Sequence, residues 1–246
     1  MSEPWYIKSF KKEYLELYAH RTEEEAYSQV RNMLELLKPN YEGPTLDLCC
    51  GAGRHLKALQ QLGMKNLTGI DLSTDLLNEA TKILPEDIKL IQSDMREIPF
   101  ESYFSNIFSM FTSFGYFEDD SENYRVIEGI YKSLKPTGKF LMDFLNEKYI
   151  RDNLVPFDSK QKGDLQISNT RTITADGKRV EKETKVLNSK TDEELILHES
   201  VRLFTADELK SMFHRCGFKD IKLTGDLEGN PYSHSSPRMI FTMSKS

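Results

Sequence analysis

The chain has 246 residues, of which 38% are hydrophobic, 11% aromatic and 29% charged, a length suited to one or two domains and an aromatic content that excludes a disordered chain. Its 33 Lys and Arg against 39 Asp and Glu leave a net charge of −6, so no overall attraction draws it to nucleic acid or to an anionic membrane. Three cysteines, two of them adjacent at Cys49 and Cys50, form neither a disulfide framework nor a paired metal spacing, and no apolar run approaches the roughly 20 residues of a membrane span.

Charges interrupt every apolar run of the first 20 residues, which leaves no signal-peptide core and predicts a reducing, cytoplasmic setting. Residues 1–40 read as two amphipathic helices, the second with Val30, Met33, Leu34 and Leu37 at helical spacing ahead of Pro39. They are expected to form a lid. From Thr45 to Asn146 short apolar runs alternate with helical patterns, predicting βαβ crossovers and a parallel sheet covered on both faces within residues 41–150.

Over residues 151–204 the pattern changes to alternating, β-branched segments around the turn Ala175-Asp176-Gly177-Lys178, so an antiparallel insertion of about three strands is expected. The mixed charges of residues 178–185 read as its solvated face. Thr205 with Glu208 three residues on is a capping box, and Cys216-Gly217 ends the helix that it opens. Two further strands within 205–246 flank a loop rich in Gly, Asn, Pro and Ser at residues 226–238.

The most informative stretch is Asp47-Leu48-Cys49-Cys50-Gly51-Ala52-Gly53, which leaves a buried strand and enters a helix. Its glycines permit a tight turn and close approach of a ligand to free backbone N–H groups. A dinucleotide loop would need a third glycine where Leu56 stands, or a first one at Cys49, and a phosphate loop would need a following Gly-Lys-Ser/Thr. What remains is a glycine loop led by an acid, Asp47, which suits an ammonium or sulfonium partner. Asp71 lies 20 residues beyond Gly51 at the end of the next strand, where a carboxylate grips a ribose diol, and Asp94 ends the third strand. Three carboxylates on one sheet edge, a ribose and a cationic amino-acid moiety together describe S-adenosylmethionine.

From Thr45 to Asn146 the sequence resembles the class I S-adenosylmethionine-dependent methyltransferases. Asp47, Gly51 and Gly53 match the first motif, with Cys49 standing where its first glycine is expected. Asp71 and Leu72 match the ribose acid and the apolar residue beside the adenine, Asp94 and Met95 the adenine edge, and the run Phe111-Thr112-Ser113-Phe114-Gly115-Tyr116 the fourth motif. The resemblance implies a Rossmann-like seven-stranded α/β sheet of order 3-2-1-4-5-7-6, with helices on both faces and a small β insertion after strand 5. It also implies an N-terminal helix that lids the cofactor, with Tyr18 and Arg21 as candidate contacts.

Methyl transfer asks a protein mainly for alignment, a dry pocket and a base for the acceptor proton. His20, Tyr116, His198 and His234 are the eligible bases, and Tyr116, Tyr232 and Arg238 the candidate acceptor contacts, the last two from the loop expected at the cofactor edge. Cys49 and Cys50 read as packing residues, and His214 as a surface residue. The Pro-Pro-Tyr signature of nucleic-acid amino methylation and a Pro-Cys nucleophile are missing, and no magnesium ligand set follows strands four and five. The expectation is methyl transfer to N or O of a small molecule, without metal or nucleic acid, by a monomer or homodimer. The alternatives are a non-catalytic S-adenosylmethionine-binding module and an RNA or protein methyltransferase.

Overall fold

The structure is a computed structural model that describes residues 4–11, 15, 17 and 22–246. It opens with the five-residue helix α1 (Trp5–Ser9) and with α2 (Glu23–Leu37), which a full capping box between Thr22 and Glu25 begins, a device worth about 1 kcal/mol. The central unit then alternates β1 (Thr45–Leu48), α3 (Arg54–Gln61), β2 (Leu67–Asp71), α4 (Thr74–Ile83), β3 (Lys89–Gln92), β4 (Phe104–Ser109), α5 (Asp120–Ser133) and β5 (Leu134–Leu145). A short helix α6 (Glu147–Asn153) leads into β6 (Phe157–Lys162), β7 (Leu165–Ile173), β8 (Arg179–Asn188) and β9 (Glu194–Arg202). The chain then returns through α7 (Ala206–Cys216), β10 (Phe218–Thr224) and β11 (Arg238–Lys245).

Seven strands form one sheet in the order β10-β11-β5-β4-β1-β2-β3, and β6 to β9 form a separate antiparallel sheet of four. The first five core strands run parallel, while β11 is antiparallel to both β5 and β10. Numbered along the core alone this is 3-2-1-4-5-7-6, the expected order. β10 therefore points the same way as β5, and the loop that leaves it emerges on the edge where β1 to β5 end.

Apolar stripes cover both faces, as strands buried on two sides require. Val126, Ile127 and Ile130 of α5 pack with Leu209 and Phe213 of α7 on one face. On the other, Ala26, Val30, Met33, Leu34 and Leu37 of α2 join Leu56 and Leu59 of α3 and Leu77 and Ala80 of α4. Among the described residues the expected lid at 1–40 is not one unit: α2 buries its apolar stripe in the core, while Tyr6 and Ile7 of α1, with Phe10, Lys11, Leu15 and Glu23, line the cavity of the candidate site. Among the described residues no helix is long and apolar enough to cross a membrane.

The capping box of Thr205 and Glu208 and the left-handed Gly217 bound α7 as the sequence predicts. The insertion has one strand more than expected. β6 is the polar stretch FDSKQK, exposed along nearly its whole length, and such an edge strand shows no alternation from which to read it.

Candidate functional site

The ends of β1 to β5, the loops that follow them, α1 and the inner face of the four-stranded insertion enclose one cavity of about 920 Å³. Its floor is the glycine loop. Cys49, Gly51 and Gly53 take φ of 63°, 54° and 80°, a left-handed path that costs glycine little. At Gly53 an added Cβ would lie 2.6 Å from Leu84 and 3.1 Å from Ala80, so only glycine lets the loop lie on α4. Cys49 accepts the strained conformation, which is the physical content of the missing first glycine. Burial, reinforced by the charges of Asp71 and Asp47, pushes both the Cys49 and Cys50 thiols well above their usual value, so neither is a nucleophile at neutral pH.

Asp47 is buried, and its Oδ2 has no hydrogen-bond partner among the described residues. Burial first, then the neighbouring Asp71, pushes its pKa to about 8 against the opposing pull of Arg54. An ionised carboxylate in such a place calls for a cation, and an α-ammonium group fits that demand. Arg54 lines the cavity from the first turn of α3, so a guanidinium is presented there to the carboxylate of a zwitterionic amino-acid moiety.

Asp71 ends β2 and ties the loop to it. Its Oδ2 accepts from Gly51 N at 2.8 Å and its Oδ1 from Ser73 N at 2.9 Å. Burial raises its pKa although these N–H groups pull it down. Each oxygen keeps a lone-pair direction for a ribose hydroxyl. Leu72, Asp94 and Met95 line the adjoining wall. Asp94 is more occupied than the adenine reading supposed. Arg96 donates its N and Nε to Oδ1 at 2.8 and 3.0 Å and Nη2 to Oδ2 at 2.6 Å, leaving acceptor capacity on Oδ2 alone. Burial raises the Asp94 carboxyl, but the Arg96 contacts outweigh it and hold it below the usual carboxylate range.

The end of β4 supplies Phe111 and Thr112, both at positive φ, 52° and 63°. Asp143 of β5 holds them there, its Oδ2 accepting from Phe111 N at 3.1 Å and its backbone carbonyl from Thr112 N at 3.0 Å. The Phe111 ring stacks on His55 at 5.3 Å, with the Arg54 guanidinium 5.2 Å from its centroid.

The far end of the cavity is built from rungs that cross the insertion. Ile173, Val180 and Val201 are register partners nearest the core, and Arg171, Lys182 and Glu199 form the next rung toward the distal edge. Arg171 pairs with Asp158, and Lys182 Nζ lies 3.0 Å from Glu199 Oε1. Arg171, Val180, Lys182, Glu199 and Val201 all line the cavity. This charged rung escaped sequence reasoning because residues 178–185 read as a solvated face. The period-2 alternation that puts Val180 and Lys182 on one face was the available signal. The Arg54–His55 pair was likewise passed over directly behind the glycine loop.

Of the residues expected at the cofactor, Cys49, Gly51, Asp71, Leu72, Asp94, Met95, Phe111 and Thr112 line the cavity, whereas Asp47, buried near the end of β1, and Gly53, packed against Ala80 and Leu84, are not among the lining residues. Tyr116 and Arg238 line it too, but Tyr232 and His234 are not among the lining residues. His234 is exposed, and Tyr232 turns its hydroxyl toward Asn146 Oδ1 at 3.4 Å. The cause is Asn146 Nδ2, which binds the carbonyls of Ser233, His234 and Ser236 and folds the loop onto the end of β5. His198 is exposed beside Glu183 at 3.7 Å. Arg238 is not the unengaged cation that recognition of an acidic acceptor group supposed, since Asp143 pairs with it at 2.6 Å. Tyr18, His20 and Arg21 lie outside the described residues.

Residues 45–138 match the family model described as a methyltransferase domain. The chain is 35% identical over 99 residues to the dTDP-3-amino-3,4,6-trideoxy-alpha-D-glucopyranose N,N-dimethyltransferase of Streptomyces venezuelae, a stretch that spans 40% of either protein. It is 24% identical over 208 residues to the cypemycin N-terminal methyltransferase of a Streptomyces species, covering 81% of this chain and 82% of that one. The CcbJ methyltransferase from Streptomyces caelestis shares the fold, with a TM-score of 0.77 at 16% identity over 89% of each chain. The sheet order and the acids at the strand ends agree with these matches: residues 45–138 match a methyltransferase domain, and the chain has the fold that the resemblance to the class I S-adenosylmethionine-dependent methyltransferases implies.

Proposed function

We propose that the protein transfers a methyl group from S-adenosylmethionine to the amino nitrogen of a small-molecule acceptor. The observation that carries this is the continuity of one cavity from the Gly51–Asp71 floor to the Arg171–Lys182–Glu199 rung. A cofactor end and an acceptor end then meet beside Phe111, Thr112 and Tyr116. When bound, S-adenosylmethionine supplies an electrophilic methyl on a sulfonium centre. Asp47 faces the ammonium, Arg54 the carboxylate and Asp71 the ribose diol, while Leu72 and Met95 flank the adenine and Asp94 Oδ2 accepts from its amine.

The chain's own part in the reaction is alignment and exclusion of water. The aromatic rings of α1 close the mouth, Tyr116 walls the centre, and Val180 and Val201 keep the acceptor's approach apolar. An amine must shed a proton before it attacks, and His55, Tyr116 and Glu199 are among the cavity-lining groups able to take or relay it. An amine acceptor is the chemistry that both curated relatives share by name, one acting on an amino sugar and the other on a terminal amine. Three unpaired thiols suit the cytoplasm as the place of work.

A panel of amino sugar nucleotides, short peptides with free N-termini and simple primary amines, scored by release of S-adenosylhomocysteine, tests the reading. Turnover of a member of the first or third group is expected. Turnover only of peptides, or only of the matching alcohols run beside the amines, would move the activity to another class. Tight S-adenosylhomocysteine binding without turnover of any acceptor would favour a binding module.

A further inference from the structure

Three consecutive backbone carbonyls converge on one guanidinium. Arg179, the first residue of β8, donates Nη2 to Gly115 O at 3.2 Å and to Tyr116 O at 3.0 Å, and Nη1 to Phe117 O at 2.9 Å. Nη2 also reaches Ser200 O, and Nε reaches Ser200 Oγ, each at 2.8 Å. The bend that gathers these carbonyls requires Gly115. Its φ is +81°, and a Cβ there would lie 3.3 Å from Arg202 O. The insertion thereby grips the segment after β4 through its main chain, leaving the side chains of Tyr116 and Phe117 to face elsewhere.

Those side chains receive α1. The Trp5 ring meets Tyr116 edge-on at 5.0 Å, Phe10 stacks on Tyr116 at 5.8 Å, and Tyr6 meets Phe117 edge-on at 5.6 Å. Ser9 adds a hydrogen bond from its Oγ to His198 O at 2.7 Å. A helix of five residues has no stability of its own, so its position is that of its seat. Tyr6, Phe10, Tyr116 and Phe117 all line the cavity, which makes the seat part of its closure.

We propose that Arg179 is a positioning residue that fixes the carbonyls of residues 115–117 and so presents Tyr116 and Phe117 as the seat on which α1 closes the cavity. Arginine suits the task because its planar fork spans several acceptors in fixed directions. Lysine offers three donors from one point, and methionine offers none. The inference is independent of which acceptor the enzyme uses, since it concerns the wall and not the ligand.

Trp5 is the only tryptophan of the chain, so its fluorescence reads the seat directly. Acrylamide quenching should be measured on the wild-type protein, Arg179→Lys, Arg179→Met, and Tyr116→Leu as the reference for a lost seat. Circular dichroism melts would establish that each is folded. The quenching constant is expected to rise at least twofold in Arg179→Met, approaching Tyr116→Leu, with Arg179→Lys between it and wild type. A folded Arg179→Met with wild-type quenching would overturn the proposal. If Arg179→Met does not fold, Arg179→Lys decides: a raised constant supports the seat, and an unchanged one overturns it.

Discussion

Arg238 donates its Nε to Asp143 Oδ1 at 2.6 Å across the β5–β11 pair, and through this contact the last strand of the chain sets the shape of the methyl-transfer end of the site. Asp143 is 4% exposed and also holds Phe111 N, while Arg238 Nη2 donates to Thr112 Oγ1 at 2.9 Å. The two left-handed residues at the end of β4 are clamped from both sides. Arg238→Ala strands a buried carboxylate, and because Arg238 itself is partly exposed the stability loss is expected at about 1–3 kcal/mol. Cofactor affinity should fall together with turnover. A melting curve and an S-adenosylhomocysteine titration that both match wild type would show that the clamp is idle.

Asp47 gives the site a pH dependence of definite sign. Its carboxyl is raised to about 8 in the folded protein, against an ordinary value of about 3.9 in an unfolded chain. The empty protein therefore binds the proton that the unfolded chain has lost, and its stability declines as pH rises from about 4 through 8. A bound ammonium favours the ionised form. Affinity for S-adenosylhomocysteine should accordingly rise toward pH 8, by at most about tenfold per unit, with proton release on binding, and flatten above. Calorimetry in buffers of different ionisation enthalpy checks this, and Asp47→Asn should abolish both slopes. Equal slopes in the variant would assign them elsewhere.

Asp71→Ala should weaken S-adenosylhomocysteine binding by about 1.5–3 kcal/mol, the range for hydrogen bonds to a charged group. The loss includes the contact to Gly51 N that orders the glycine loop. Asp71→Asn should recover part of it. If alanine binds as well as aspartate, the ribose is held elsewhere.

The charged rung should separate acceptor from cofactor. Lys182→Met and Glu199→Gln are each predicted to lower turnover of the authentic acceptor while leaving S-adenosylhomocysteine affinity within about twofold, because a group that meets only the acceptor adds nothing to cofactor binding. A drop in cofactor affinity equal to the loss in turnover would refute that division of the cavity.

Much of this site is legible in the sequence because its acids sit at strand ends in fixed order behind a glycine loop. Asp47 and Asp71 sit at the C-terminal ends of β1 and β2 and Asp94 just beyond β3, and parallel connectivity then forces them onto one edge. The loop at residues 226–238 shows the limit of that reasoning. Topology delivered it to the correct edge, yet Asn146, far away in sequence, folds Tyr232 and His234 away from the cavity. The insertion shows another limit. Facing toward or away from the cavity depends on its register against the core, which alternation gives only up to a choice of face, so Lys182 read as solvated. The helix at 23–37 looked like a lid because an amphipathic stripe does not state which surface will cover it.

The central claim, that this chain moves a methyl from S-adenosylmethionine to an amine, is met most directly by mass spectrometry of a reaction with S-adenosylmethionine carrying a deuterated methyl. The account predicts that the intact deuterated methyl appears on the acceptor's amino nitrogen, in step with S-adenosylhomocysteine formed. Label found on oxygen with S-adenosylhomocysteine formed, or bound cofactor left unchanged with no acceptor labelled, would contradict it.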